Sequence, residues 1–243
     1  MADPHVLMAG AGRLWLLLAA LLPAGLAQAL EVSPLRVELA PGQTDGELWL
    51  YNDSALPWTG QARLFAWAQT VHDERLRPTT ALVVSPAELH LPAHARQRLR
   101  VVRTSPAPAT EQGYRLVLRA GADSPPVQLS LPVFVAGADA PRGPALTVQL
   151  LEDSDPAVLA LHNGGGRHAR LADLAFMAAN GQSRPLLPDL AGYVLAGQTR
   201  HWVLPGPAAA YRDGHFQARI GDQPARRLEP SSPSIATRAP AGL

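Results

Sequence analysis

Residues Val127–Val135 read VQLSLPVFV, and how this stretch is read decides the fold. Val127, Leu129, Leu131, Val133 and Val135 alternate with Gln128, Ser130, Pro132 and Phe134, the two-residue period of a half-buried β-strand. Pro132 has no N–H to give to a ladder, so the strand belongs on a sheet edge or at a bulge. A long apolar strand on an open edge invites aggregation unless another chain uses it. In β-strand addition, main-chain hydrogen bonds supply generic affinity and alternate side chains supply specificity. The plainer alternative is a stripe that packs only into its own sandwich.

The rest of the chain has the same character. Short alternating segments are separated by Pro, Gly, Asn and Asp clusters, and no segment carries a long 3.6-residue period, so the chain reads as all-β, most simply as sandwiches. In the first half strands are expected near Leu30 to Leu39, Glu47 to Tyr51, Gly60 to Trp67, Ala81 to Ser85, Gln97 to Arg103, Tyr114 to Arg119 and Val127 to Val135, which suits an immunoglobulin-like unit. The second half repeats part of this pattern. Leu48-Trp-Leu-Tyr-Asn52 has a counterpart in Leu159-Ala-Leu-His-Asn163, and Leu91-Pro-Ala-His-Ala-Arg96 in Leu195-Ala-Gly-Gln-Thr-Arg200. Two matches in the same order point to paired sandwiches.

The ends and the middle set the boundaries. Arg13, the apolar run Leu14 to Leu22, Pro23 and the small-x-small sequence Ala27-Gln28-Ala29 form a secretory signal peptide over 1–29, too short and wrongly flanked for a membrane anchor. Asp3 and His5 are unusual in such a leader, so Met8 competes with Met1 as the initiator. The expected organisation is an N-terminal immunoglobulin-like domain over 30–138, a linker over 139–143, a C-terminal one over 144–228, and a disordered Ser-, Pro- and Ala-rich tail over 229–243. The leader implies that the mature chain is exported. There is no cysteine, hence neither a disulfide framework nor a thiolate zinc site. All 21 basic residues are arginine, and the formal charge of +1 argues against nucleic-acid or polybasic membrane contacts.

Candidate chemistry is thin. His90 with His94, His162 with His168, and His201 with His215 would suit a metal carrier only if three or four ligands converged. His90 and His94 flank a turn and His162 faces the Gly164–Gly166 loop, so these are read as surface histidines. No Gly-x-Ser-x-Gly elbow occurs, and Gly164–Gly166 lacks the Lys-Ser/Thr of a phosphate loop. The carboxylate pairs Asp73-Glu74 and Glu152-Asp153 fall in polar turns. No catalytic, cofactor or metal site is expected, and no small-molecule substrate; the chain is read as a non-enzyme.

Ser33-Pro-Leu-Arg-Val-Glu-Leu-Ala-Pro-Gly42, Val84-Ser-Pro86, Tyr114-Arg-Leu-Val-Leu-Arg119 and Ser130-Leu-Pro-Val-Phe-Val135, in this order and spacing, resemble the periplasmic pilus chaperones of the chaperone-usher pathway. The Tyr-Arg-Leu and Ser-Leu-Pro-Val-Phe-Val segments are most similar to the branch that assembles archaic, spore-coat-like pili. The resemblance implies two immunoglobulin-like β-sandwich domains set at an angle, with pilus subunits and an outer-membrane usher as partners. It further implies donor-strand complementation, in which the chaperone's edge strand fills the groove left by a subunit's missing last strand. Val127, Leu129 and Leu131 are then the donated side chains, and Val133 either extends the set or belongs to the chaperone's own core.

The family anchors the subunit's terminal carboxylate with basic cleft residues, a task suited to charge-assisted hydrogen bonds. Arg36 matches the family's first-strand arginine. The second anchor is a lysine on the edge strand, but Pro132 falls near that place and this chain has no lysine; Arg115 is the replacement candidate, with Arg98, Arg100 and Arg103 behind it. The competing readings are an immunoglobulin-like periplasmic or surface adhesion or scaffold protein without such a client, and a histidine metal carrier. Self-association through the free edge is left open.

Overall fold

The computed structural model describes residues 30–70, 73–124, 126–138, 143–151 and 154–231. The leader 1–29, Glu152-Asp153, most of the linker and the tail beyond 231 lie outside these residues.

The first sandwich comprises β1 (Leu30–Ser33), β2 (Val37–Leu39), β3 (Asp45–Asn52), β4 (Trp58–Gln69), β5 (Glu74–Pro78), β6 (Leu82–Ser85), β7 (Glu88–Leu91), β8 (Arg96–Arg103), β9 (Gln112–Ala120) and β10 (Gln128–Val135). One sheet runs β1-β3-β8-β6; the other runs β2-β10-β9-β4-β5, with β7 also paired to β4. Alternation does the sorting: Leu48 and Leu50 of β3, Leu99 and Val101 of β8, and Leu116 and Leu118 of β9 point inward and are fully buried in one core. Trp49, between the two leucines, points outward and is 41% exposed.

The single strand expected over Leu30 to Leu39 is two strands. β1 pairs with β3 in one sheet, the chain bends at Pro34–Arg36, and β2 pairs with β10 in the other. β5 and β7 were not expected. All of β5 is exposed and so carries no apolar alternation, while β7 buries only Leu89 and Leu91 in four residues.

The second sandwich comprises β11 (Leu146–Leu151), β12 (Val158–Asn163), β13 (Ala169–Ala178), β14 (Ser183–Val194), β15 (Thr199–Val203), β16 (Gly214–Ile220), β17 (Arg226–Arg227) and β18 (Glu229–Pro230). Its sheets run β15-β12-β11-β18 and β14-β13-β16-β17. Both domains are immunoglobulin-like β-sandwiches. Glu229 and Pro230, expected at the start of a tail, instead pair in parallel with Thr147 and Val148, and the Ser231 N–H donates to the Val148 carbonyl at 2.8 Å. The buried Leu228 beside them, whose N–H donates to the Phe216 carbonyl at 2.9 Å, also holds this segment to the domain.

The internal repeat is structural. Asn52 and Asn163 are both buried, at 1% and 0% exposure, each at the end of its strand. Asn52 Nδ2 donates to the carbonyls of Leu56, Leu91 and Pro92, and its Oδ1 accepts from the Ser54 N–H and hydroxyl. Asn163 Nδ2 donates to Arg167 and Val194, and its Oδ1 accepts from the N–H groups of Ala145 and Gly165. The main-chain N–H of each donates into the partner turn, to Ala95 and Gln198 respectively. Each asparagine thus ties its strand end to the second of the two repeated segments.

Candidate functional site

β10 is covered on one side and half-covered on the other. It pairs antiparallel with β9 along its whole length, but in parallel with β2 only from Val133 to Val135. In an antiparallel ladder each residue sends its N–H and C=O to the same side. The Ala120 N–H donates to the Val127 carbonyl at 2.9 Å, so Val127, Leu129, Leu131 and Val133 direct their main-chain groups toward β9. Gln128 and Ser130 direct theirs to the open edge. Pro132 occupies a position whose N–H would also face that way, so it costs the β9 ladder nothing. The Ala136 N–H, in the same phase, reaches the carbonyl of Leu39, the last residue of β2, at 2.9 Å. Pro132 therefore stands where β2 takes over the edge.

The side chains grade from core to surface along the same strand. Val133 is fully buried and Leu131 nearly so, both within the chain's own core. Leu129 is partly buried against that core, as are Leu30 and Val32 of β1, and Val127 is half-buried just before the strand. Of the four residues expected as donated side chains, Val127 and Leu129 are within reach of a partner, while Leu131 and Val133 already have neighbours.

Arg36 precedes Val37, which pairs with Val133; Pro132 pairs with Arg115. Arg36, Pro132 and Arg115 therefore follow one another across the sheet, on the face turned toward the second domain. Their side chains have different surroundings. Arg36 lies in a cleft of about 620 Å³ between the domains, with Glu38, Arg167, Arg170, Asp222 and Arg226 in its walls. Arg36 Nε donates to Glu38 Oε1 at 2.7 Å, and Arg167 Nη2 to Glu38 Oε2 at 3.3 Å. Arg115 lies outside that lining: its guanidinium sits 3.8 Å from the Trp67 ring centroid, and Nη1 approaches the Ser130 carbonyl at 3.5 Å. Burial lowers the Arg115 pKa from its ordinary value, Glu74 and Tyr193 oppose this, and Arg200 adds to it. Of the weaker candidates, Arg98 and Arg100 pair with Glu47 and Asp45 on the far sheet, and Arg103 Nη1 donates to the Ser105 carbonyl.

What holds the cleft walls together was not read from the sequence. Phe134 stacks on His168 at 3.5 Å with 6° between planes, inside a cluster with Trp67, Tyr193 and Leu195. Glu111, just before β9, accepts from the His168 N–H at 2.5 Å and lies 2.9 Å from its Nδ1. Gln69 accepts from the Leu195 N–H and donates to the Tyr193 carbonyl, both at 2.9 Å. Gly113 leaves the space this needs, since a Cβ there would stand 3.0 Å from Leu195. These partners lie far apart in the chain and form no local motif; the sequence marks only His168 among them, as a candidate metal or catalytic histidine. Among the described residues no cluster of three or more His, Asp or Glu side chains could hold a metal. His162 instead meets the Thr199 hydroxyl.

Residues 29–128 match the family model described as "Pili and flagellar-assembly chaperone, PapD N-terminal domain". No curated protein matches the chain. Among solved structures, the chain resembles the CsuC–CsuE chaperone-tip adhesion subunit pre-assembly complex from archaic Csu pili of Acinetobacter baumannii, with TM-score 0.67 and 19% identity over 84% of this chain and 100% of that one. The SafB chaperone structure with SafA pilin from Salmonella enterica gives 0.60 and 18% over 83% and 96%. The CupB2 chaperone of Pseudomonas aeruginosa gives 0.58 and 16% over 82% and 99%. The first sandwich thus matches the PapD N-terminal domain family over residues 29–128, and the chain as a whole has the two-domain fold of the pilus chaperones.

Proposed function

We propose that this chain is a periplasmic chaperone that captures pilus subunits by strand addition, completes their fold, keeps them from aggregating and passes them to an outer-membrane usher. The observation that carries the reading is the half-covered edge of β10. An apolar strand whose Gln128 and Ser130 main-chain groups face outward, stopped at Pro132 by β2, is a place for another chain to pair and to end.

Electrostatics selects the direction of that chain. A strand running parallel to β10, as β2 does, brings its C-terminus to Pro132; an antiparallel strand would bring its N-terminal ammonium there. The cleft beside Pro132 holds Arg36, Arg167, Arg170 and Arg226 against Glu38 and Asp222, which favours the carboxylate. Pro132 offers that carboxylate no backbone N–H, so the donors must be side chains, and Arg36 is the nearest in the row. Val127 and Leu129 supply the apolar contacts, and Leu131 and Val133 hold the donor strand to its own domain. Arg115 shapes the face by stacking on Trp67.

The test is native mass spectrometry of the mature protein co-expressed in a periplasm with small secreted proteins encoded beside it. Ser130→Pro removes an N–H that faces only the open edge, leaving the β9 ladder intact. A one-to-one complex with the unaltered chain, lost in Ser130→Pro, is the expected result. Clients that stay soluble alone, or a complex indifferent to Ser130→Pro, would return the protein to the adhesion or scaffold reading.

A further inference from the structure

Among the described residues, Glu38 is the carboxylate that pairs with arginines from both walls of the cleft. It lies on β2, one residue past Val37, so its side chain is on the same face as Arg36 and Phe134. Its two oxygens are divided: Oε1 takes Arg36 Nε at 2.7 Å, and Oε2 takes Arg167 Nη2 at 3.3 Å. Arg36 comes from the first domain, and Arg167 from the loop before β13 of the second. Arg167 has a further carboxylate near it, with Nε 3.7 Å from Glu111 Oε2. All three side chains keep solvent contact, with Glu38 34%, Arg167 43% and Arg36 45% exposed, so Glu38 can turn without leaving a charge buried.

We propose that Glu38 is an internal competitor for Arg36, displaced by the carboxylate of an incoming chain, and that Arg167 is the positioning residue that receives it. The proposal rests on the strand-addition reading above. When the carboxylate arrives, Arg36 exchanges one carboxylate partner for another and Glu38 passes wholly to Arg167. The number of charge pairs is conserved and no proton need move. Arg167 thereby makes the second domain a participant in capture by the first: without it, Glu38 has only Arg36 to hold, and the competition hardens.

The signs of the mutational effects follow. Glu38→Gln keeps the shape but removes the competing charge, so affinity for a free C-terminus rises. Arg167→Ala strengthens the hold of Glu38 on Arg36, so affinity falls. In the Glu38→Gln background, Arg167→Ala has nothing left to act on and does little. A direct contact between Arg167 and the incoming carboxylate would instead make Arg167→Ala harmful in both backgrounds.

The experiment is fluorescence anisotropy of the full mature chain with a short labelled peptide of alternating Val, Ser and Thr, made with a free C-terminal carboxylate and as its C-terminal amide. Exposed ion pairs are weak, so the changes are expected to be about two- to fivefold in Kd. Tighter binding of the carboxylate form, a further gain for it alone in Glu38→Gln, a loss in Arg167→Ala and no added loss in the double variant support the proposal. If both peptides bind equally, or Glu38→Gln weakens the carboxylate form, or Arg167→Ala acts in both backgrounds, the proposal fails while strand addition stands. If neither peptide binds and neither responds to Ser130→Pro, strand addition itself fails and the proposal with it.

Discussion

Arg36 and Arg115 stand either side of Pro132, yet their surroundings give them different work. Arg36 is 45% exposed at the side chain and pairs with a carboxylate that other groups also claim. Arg115 is half-buried, its plane against Trp67, where a guanidinium over an indole contributes about 0.5–2 kcal/mol. Arg36→Ala should therefore weaken client capture with little change in unfolding midpoint, whereas Arg115→Ala should lower the midpoint measurably. Parallel urea titrations and pull-down yields on the two variants check this, and unfolding of Arg36→Ala would recast Arg36 as structural. Gln69 belongs to the same scale. Gln69 is 5% exposed and its side chain bonds two main-chain groups of the other domain, so Gln69→Leu strands the Leu195 N–H, while the Tyr193 carbonyl keeps Arg200 Nη1 at 3.3 Å. At about 1–3 kcal/mol for a stranded group, a loss of about 1–3 kcal/mol is expected in chemical denaturation.

Along β10 burial divides the apolar alternation into a half packed in the core and a half at the open end. Leu131 packs in the domain's own core, so Leu131→Ala should cost about 2–4 kcal/mol of stability in the free protein through the cavity it leaves. Leu129, partly buried at the open end, should behave otherwise: Leu129→Asp is expected to leave a folded monomer that no longer protects a client. A normal yield of client complex with Leu129→Asp would take this side chain out of the mechanism. Free-protein stability read beside complex yield separates the two positions, because a purely structural stripe would move both quantities together. The strand tolerates Pro132 because that residue's missing N–H faces away from β9, and the edge it leaves short of a donor lies beside an arginine cleft.

Across the whole molecule, several residues that join the two sandwiches are occupied on more than one side. Phe134 closes β10 against His168, Glu111 receives both the main chain and the ring of His168, and Trp67, Tyr193 and Leu195 fill the space between. This contact keeps the cleft at a set width and brings Arg167 to Glu38. Glu111→Ala leaves the His168 N–H without its partner and should cost about 1–3 kcal/mol. It should also let the domains unfold in separate steps, visible as non-coincident transitions when fluorescence and far-ultraviolet circular dichroism are followed together.

The sequence by itself determined the all-β class, the paired sandwiches and the strand within Val127–Val135, because strand alternation and turn residues act over a few positions and are written locally. Leu48-Trp-Leu-Tyr-Asn52 and Leu159-Ala-Leu-His-Asn163 could be matched by eye, and the buried asparagines explain why the pattern recurs. Arg36 stands out in the sequence only through the resemblance its segment carries. Tertiary structure alone decided where β1 leaves one sheet and β2 joins the other, since the pairing of Val37 with Val133 has no local signature. It also decided which residues of the Val127–Val135 stripe are committed to the core and that Glu229–Pro230 is a strand. Glu38, Gln69, Glu111, Arg167 and His168 became a connected set only in three dimensions: their bonds cross between domains over long sequence separations, and a polar side chain's partner is fixed by what the fold brings within about 3 Å of it.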